Sequence, residues 1–328
     1  MRPLVHIGFH KTGTSWFQKR VYASVESHRL VDRRQIRIEL MSRDAFDFDP
    51  RAARAALGLD AHPAPAILCE EDLSGILHQG LASTYVAKEM ARRLHATIPE
   101  ANILIFVRAQ PTAAVSWYHQ YVREGGTASL RRYLLPGNYR YFGRDRPYKI
   151  PRFDFCQLDY RGLIETYDEL YGRANVTVLP YEELGHDPGA VLRVVGALLG
   201  AELGVPASAR ENGSYRAGLL PLVRFANLFT VRSLLYKSSI IHVPYWYTVR
   251  KALFRRLNRL PLFGPIPAPA AGIDAELGRW IRQRFWQSNR WLAERMDWNL
   301  RALGYPLDPP EQPGRPPEAA RWLRWTRQ

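Results

Sequence analysis

The chain has 328 residues, 46% of them hydrophobic and 23% charged, and its 46 Lys and Arg against 31 Asp and Glu give a formal charge of +15. Such a composition excludes a disordered or fibrous protein, and the excess of cations points to an anionic partner. Two cysteines, Cys69 and Cys156, cannot build a disulfide framework, and no run of about 18 uncharged apolar residues is present to span a membrane.

The opening residues, MRPLVHIGFHKTGTS, interrupt their apolar run with glycine and histidine too early for a signal-peptide core, so a cytoplasmic location is expected. Continuous apolar runs at 4–9, 66–69, 103–107 and 176–179 predict buried strands, each flanked by Pro, Gly or Asn. Helical patterns lie between them at 16–25, 86–98 and 160–171. Alternating strands and helices predict an α/β fold with a central parallel sheet flanked by helices in three layers. Ligands of such sheets sit beyond the carboxyl ends of the strands.

One segment stands at such an end. After the first predicted strand comes Gly8-Phe9-His10-Lys11-Thr12-Gly13-Thr14-Ser15, and a helical pattern starts at Trp16. A turn of small residues opening a helix aims backbone N–H groups at one point, the helix dipole favours negative charge there, and Lys11 adds a full positive charge. The expectation is a site for a phosphate-like group, with the bland alternative of a tight turn capping a helix. The loop is P-loop-like without being a Walker A motif, because Lys11 precedes Gly13 instead of following it. The strand 103–107 also ends in Arg108, where a metal-binding Asp would be required for nucleoside triphosphate hydrolysis.

His10 to Ser15, HKTGTS, resembles the 5′-phosphosulfate loop of sulfotransferases that use 3′-phosphoadenosine 5′-phosphosulfate. Arg108 followed by Ser116 in RAQPTAAVSWY resembles that family's 3′-phosphate motif. Weaker similarities run through LCEEDLSG (68–75), VTVLPYEEL (176–184), SNRWLAERM (288–296) and LGYP (303–306), so that the resemblance spans about residues 1–306. Two departures are present. Ala109-Gln110-Pro111 replaces a shorter Arg-x-Pro, and Cys69 and Glu70 stand where Ser is common, which leaves the identity of the base open.

The resemblance implies a sulfotransferase with that nucleotide as co-substrate and no metal. Lys11 would stabilise the leaving oxygen, Thr12, Gly13, Thr14, Ser15 and Trp16 would hold the 5′-phosphate, and Arg108 with Ser116 would hold the 3′-phosphate. Arg210, Asn212 and Ser214, in ARENGSYRAG, would help close over the nucleotide. A hydroxyl acceptor needs a base. Glu71 is the first candidate, Glu70 the reserve and His10 a third, since side chains alternate along an extended chain and only one of the two glutamates faces the cleft. The implied acceptor is a glycan or lipid-linked saccharide. Rival readings are a P-loop-type nucleotide-dependent kinase and a non-catalytic binder of membranes or polyanions; no module that reads nucleic acid is recognisable.

Four regions are expected: an α/β core at 1–211, a basic amphipathic helical insertion at 212–273, a helix completing the core at 274–305, and a Pro-rich tail at 306–328. The insertion holds nine Lys or Arg and no Asp or Glu. Trp246, Val249, Leu253, Leu257 and Leu260 form one predicted apolar stripe, with Lys251, Arg255 and Arg259 in a neighbouring row. Three uses compete for 219–260: packing of the stripe on the sheet, docking on an anionic membrane surface as a peripheral attachment, and binding of a polyanionic glycan.

Overall fold

The computed structural model describes residues 1–135, 152–206, 215–230 and 240–312. Five strands, β1 (Leu4–His6), β2 (Arg29–Leu30), β3 (Ala66–Cys69), β4 (Asn102–Val107) and β5 (Val176–Pro180), form one sheet. Every pairing is parallel, and the order is β2-β3-β1-β4-β5. Four of these strands are the apolar runs expected from the sequence. β2 has two half-buried residues, one of them an arginine, and so carries no apolar run. Its pairing with β3 is extended by the N–H of Val31, which donates to Ile67 at 2.9 Å.

Alternation along the strands divides the sheet into two apolar faces. Leu4, Ile67, Leu104, Phe106 and Leu179 join a core with Phe17 and Val21 of the helical run 14–24 and with Val191, Val195 and Leu199 of the helix Pro188–Leu199. The opposite residues, among them Val5, Leu68, Ile103 and Ile105, are also fully buried. On this side the helix Tyr160–Tyr171 packs against β4 and β5 and meets the helix Ala82–Thr97. Helix, sheet and helix thus form the three expected layers.

The strand order fixes where a ligand belongs. From β1 the chain passes toward β2 on one side, and from the neighbouring β4 it passes to β5 on the other. The connections diverge between β1 and β4, so the crevice lies above those two carboxyl ends.

The chain divides into two compact units. The first comprises 1–109, 154–211 and 284–309, and the second comprises 110–153, 212–283 and 310–328. Residues 110–153, expected within a core of 1–211, therefore group with the insertion, and the last long helix, Ala275–Arg295, runs from the second unit into the first. The tail expected at 306–328 is described only as far as residue 312.

In the second unit the helix Gln110–Arg123 presents Tyr118 and Tyr121 to Tyr133 in a cluster of rings. Asn227 donates to the carbonyls of Val122 and Gly126, at 2.9 and 2.7 Å. The helices Leu219–Ala226 and Trp246–Leu257 form an antiparallel pair tied at both ends. Trp246 Nε1 donates to the Ala226 carbonyl at 2.8 Å, and the Gly218 N–H donates to Phe263 at 3.0 Å.

The predicted stripe on the second helix is not its buried face. Arg250 and Phe254 point inward, whereas Val249, Leu253 and Leu260 are exposed. The large Phe254 ring and the apolar stem of Arg250 cover more surface than the smaller aliphatics, which are left on the flank. Arg250 is held by one bond, Nη2 to the Arg123 carbonyl at 3.1 Å, and by the face of Tyr247; its Nε and Nη1 have no partner among the described residues. No helix of the described residues is long and apolar enough to cross a membrane.

At the centre of the sheet, His6 is enclosed by Phe17, Tyr22 and Phe106, with Nδ1 2.8 Å from the Tyr22 hydroxyl. Burial lowers its pKa from 6.5 to about 3, against a small opposing pull from Glu71. The folded protein keeps this ring neutral, while the unfolded chain protonates it below about pH 6.5. Folding stability is therefore expected to fall as pH drops from 6.5 toward 3. His6→Asn should flatten that decline, as read from urea midpoints between pH 7 and pH 4.

Candidate functional site

The turn after β1 stays beside β4 before it opens. The N–H groups of Ile7 and Phe9 donate to Leu104 and Phe106 at 3.0 and 3.1 Å. Gly8 is required by crowding, since a Cβ there would lie 2.9 Å from both His6 Nε2 and Thr12 Oγ1. Lys11 and Gly13 then take positive φ, 67° and 93°. For lysine this is an uncommon conformation that the surrounding bonds must hold. The Thr12 hydroxyl donates to the Phe9 carbonyl and closes the turn.

Gly13 begins the helical run, its carbonyl accepting the N–H groups of Trp16 at 2.8 Å and Phe17 at 3.1 Å. The N–H groups of Gly13, Thr14 and Ser15 have no acceptor among the described residues. This is what an anion cradle requires. The backbone N–H of Trp16 donates to Gly13, and its side chain joins the core, so it anchors the turn.

Arg108 meets this turn directly. Its Nη1 donates to the Lys11 carbonyl at 3.0 Å, its guanidinium lies 4.7 Å over the Tyr181 ring, and its own carbonyl accepts the Tyr160 hydroxyl. The next residue, Ala109, donates its N–H to Glu182 at 3.0 Å, and Glu182 also accepts from Tyr305 at 3.2 Å. Burial raises the Glu182 carboxyl above its ordinary pKa despite those donors. Tyr181 and Glu182 were not singled out from the sequence. Their signal is their place immediately after β5, at the same edge of the sheet as Arg108.

The acidic segment after β3 closes the other side. Glu70 is fully buried, and both its oxygens are taken. Arg33 donates to them at 3.0 and 2.9 Å, Arg37 approaches to 2.8 Å, and the Asp72 N–H adds a bond at 3.1 Å. These bonds tie the segment after β3 to the chain that follows β2. Glu71 opens the 3₁₀ turn Glu71–Ser74 and shares Arg33 with Glu70. One oxygen accepts the Thr14 hydroxyl at 3.0 Å and the other lies 2.8 Å from Arg33. Burial pushes its pKa up, but Arg33 and His10 outweigh burial and leave the carboxyl below its ordinary value.

His10 is buried, with Nε2 2.6 Å from the Gly75 carbonyl and 3.7 Å from Asp72. Asp72 also pairs with Arg37 at 2.8 Å, and burial raises its pKa. Ser116 is half-buried in the helix Gln110–Arg123 of the second unit. Arg210, Asn212 and Ser214 lie outside the described residues.

No protein-family model and no curated protein matches the chain. Solved structures do. A sulfotransferase from Alicyclobacillus acidocaldarius is 17% identical, with 81% of this chain and 100% of that chain covered at a TM-score of 0.46. Mouse sulfotransferase SULT7A1 complexed with PAP is 16% identical, with 92% of this chain and 87% of that chain covered at a TM-score of 0.37. Likeness at this level assigns neither residues nor an activity to this chain.

What the first unit itself assembles is an open set of backbone donors, a lysine and an arginine at the switch point of the sheet, with an ionised carboxylate bonded to the same turn. Among the described residues no group of three or more His, Cys, Asp or Glu could hold a metal. The turn tolerates little change. At Gly13 a Cβ would stand 3.3 Å from Leu184 and 3.6 Å from Tyr181 on a backbone of φ 93°. Gly13→Ala is expected to cost about 1–3 kcal/mol of stability, measured by urea unfolding.

Proposed function

We propose that the chain is a sulfotransferase that moves the sulfonate group of 3′-phosphoadenosine 5′-phosphosulfate to a hydroxyl of a glycan or lipid-linked saccharide. The observation that carries this reading is the bond from Arg108 to the carbonyl of Lys11, which brings two cationic anion-binding elements to one crevice between β1 and β4. The free N–H groups of Gly13, Thr14 and Ser15 fit a 5′-phosphate. Arg108 is assigned to the 3′-phosphate. A nucleotide with phosphates at both ends of its ribose suits such a pair better than a triphosphate, for which no acidic metal ligand follows β4.

In the proposed reaction the acceptor oxygen forms its bond to sulfur as the bridging sulfur–oxygen bond breaks. The electron pair departs with the phosphate oxygen, and the ammonium of Lys11 neutralises the charge that builds there. The acceptor proton passes to Glu71. A depressed pKa keeps Glu71 ionised, and Thr14 and Arg33 fix its orientation.

The first experiment is thermal melting with adenosine 3′,5′-bisphosphate and, separately, with Mg²⁺-ATP. At a hundredfold excess over Kd the bisphosphate should stabilise the protein by about 2.7 kcal/mol, whereas a larger effect of Mg²⁺-ATP would support the kinase reading. Sulfonate transfer should fall by about 10²–10³ in Lys11→Ala and by about 10²–10⁴ in Glu71→Gln. Arg108→Ala should weaken bisphosphate binding roughly tenfold to a hundredfold. Unchanged turnover in Lys11→Ala would remove the assignment.

The pH profile separates Glu71 from His10 as base. If Glu71 accepts the proton, activity is lost on the acid side as that carboxylate protonates, at a pH below the ordinary carboxylate range. Arg33→Gln removes the largest influence that opposes burial, so the acid limb should move to higher pH. An acid limb that stays in place in Arg33→Gln points away from Glu71.

A further inference from the structure

The second unit exposes apolar side chains in a way the first does not. Among the described residues, eleven of the sixteen exposed large hydrophobics lie within 212–273. That segment contains nine Lys or Arg and no Asp or Glu. Isolated exposed hydrophobics are ordinary on any protein. A concentration of them among cations, with every acid excluded, is not.

The two paired helices show how the exposure arises. Leu219–Ala226 buries Leu219, Val223 and Ala226, one apolar row, and still leaves Leu222 and Phe225 outside at 47% and 62% exposure. Trp246–Leu257 buries Arg250 and Phe254 and leaves Val249 and Leu253, one turn apart, outside. Arg256, in the same row as Val249 and Leu253, and Arg259, in the turn that follows, are exposed beside them. Past its end Leu262 is 85% exposed. Each helix therefore has a packed side and, separately, an apolar flank, and the second adds cations beside it.

Three occupants can be weighed by charge and by apolarity. A second copy of this segment would bring the same excess of cations and no acid, so the two faces would repel. A soluble polyanion would engage the cations but leave the leucines and Phe225 in water. An anionic bilayer meets both requirements, with phosphate groups for Lys and Arg and an acyl boundary for the apolar flank.

We propose that the antiparallel helix pair and the turn through Leu262 dock on the surface of an anionic phospholipid bilayer. Leu222, Phe225, Val249, Leu253 and Leu262 enter the headgroup boundary, and the neighbouring cations lie against lipid phosphates. This goes beyond the transfer reaction and does not depend on it, because binding is read without turnover.

The test is sedimentation of the purified full chain with vesicles of phosphatidylcholine alone or mixed equally with phosphatidylglycerol. Binding is expected to the mixed vesicles, to be much weaker to phosphatidylcholine, and to decline as salt rises. Each cation removed should lower partitioning about fivefold, so Arg256→Glu with Arg259→Glu should lower it at least about twenty-fivefold. Leu262→Asp, at a site open to water, tests the apolar contribution without threatening the fold and should also weaken binding. Phe46→Asp, an equally exposed apolar position in the first unit, should leave binding unchanged. No sedimentation with the mixed vesicles overturns the proposal. So does vesicle binding indifferent to all three second-unit substitutions, or a dimer in light scattering or retention on a polyanionic resin in a protein that ignores vesicles.

Discussion

The bond between the Arg108 guanidinium and the carbonyl of Lys11 is the contact on which the first unit's chemistry turns. It joins the loop after β1 to the end of β4, the two neighbouring strands at which the connections of the sheet diverge. A carbonyl in a turn with positive φ at Lys11 and Gly13 is turned out of any regular ladder, and Arg108 satisfies it. The same guanidinium is seated on Tyr181, and the carbonyl of its own residue takes the Tyr160 hydroxyl. Arg108 is thus both a cation at the end of β4 and a brace for the loop after β1. Its replacement would disturb loop geometry as well as remove a cation, which is why binding and turnover have to be measured separately.

A second constraint lies on the opposite wall. Three consecutive acids, Glu70, Glu71 and Asp72, stand at the end of a buried strand, where unpaired carboxylates would be costly. Arg33 and Arg37, from the chain just after β2, neutralise them. Glu70 absorbs most of that pairing and holds the segment in place. Glu71 shares Arg33 and reaches Thr14 in the anion turn. The charge network divides the acids by role: one is buried as an anchor, and one is kept ionised beside the crevice. β2 has only two residues, yet it delivers both arginines, so a strand too short to leave a hydrophobic signature governs the protonation state of the candidate base.

The legibility of the chain follows that difference. Buried parallel strands need unbroken apolar runs, and β1, β3, β4 and β5 were readable for that reason. The tight turn after β1 was readable because close approach and positive φ demand particular residues at Gly8 and Gly13. Alternation suggested opposite sides for Glu70 and Glu71, but Glu71 opens a 3₁₀ turn and both meet Arg33, which lies more than thirty residues away in sequence. Tyr181 and Glu182 were hidden because an aromatic and an acid after a strand have many ordinary uses. The grouping of 110–153 with 212–283 leaves no mark in the sequence, since a helix directly following β4 looks like the next crossover of the sheet.

The helix Trp246–Leu257 shows a different limit. Spacing finds an amphipathic pattern but does not say which sector the fold covers. Trp246, Val249, Leu253 and Leu257 form an acceptable stripe on paper, and the fold instead covers the sector of Arg250 and Phe254. A buried guanidinium with one carbonyl partner is an expensive way to pack a helix when two aliphatics lie within a turn of it. The cost becomes intelligible if those aliphatics have a use outside the fold. A helix selected only for packing would turn Val249 and Leu253 inward and leave Arg250 in water. The orientation observed keeps Val249, Leu253 and, in the same row, Arg256 on the outside, where a surface that is both negatively charged and apolar beneath would find them.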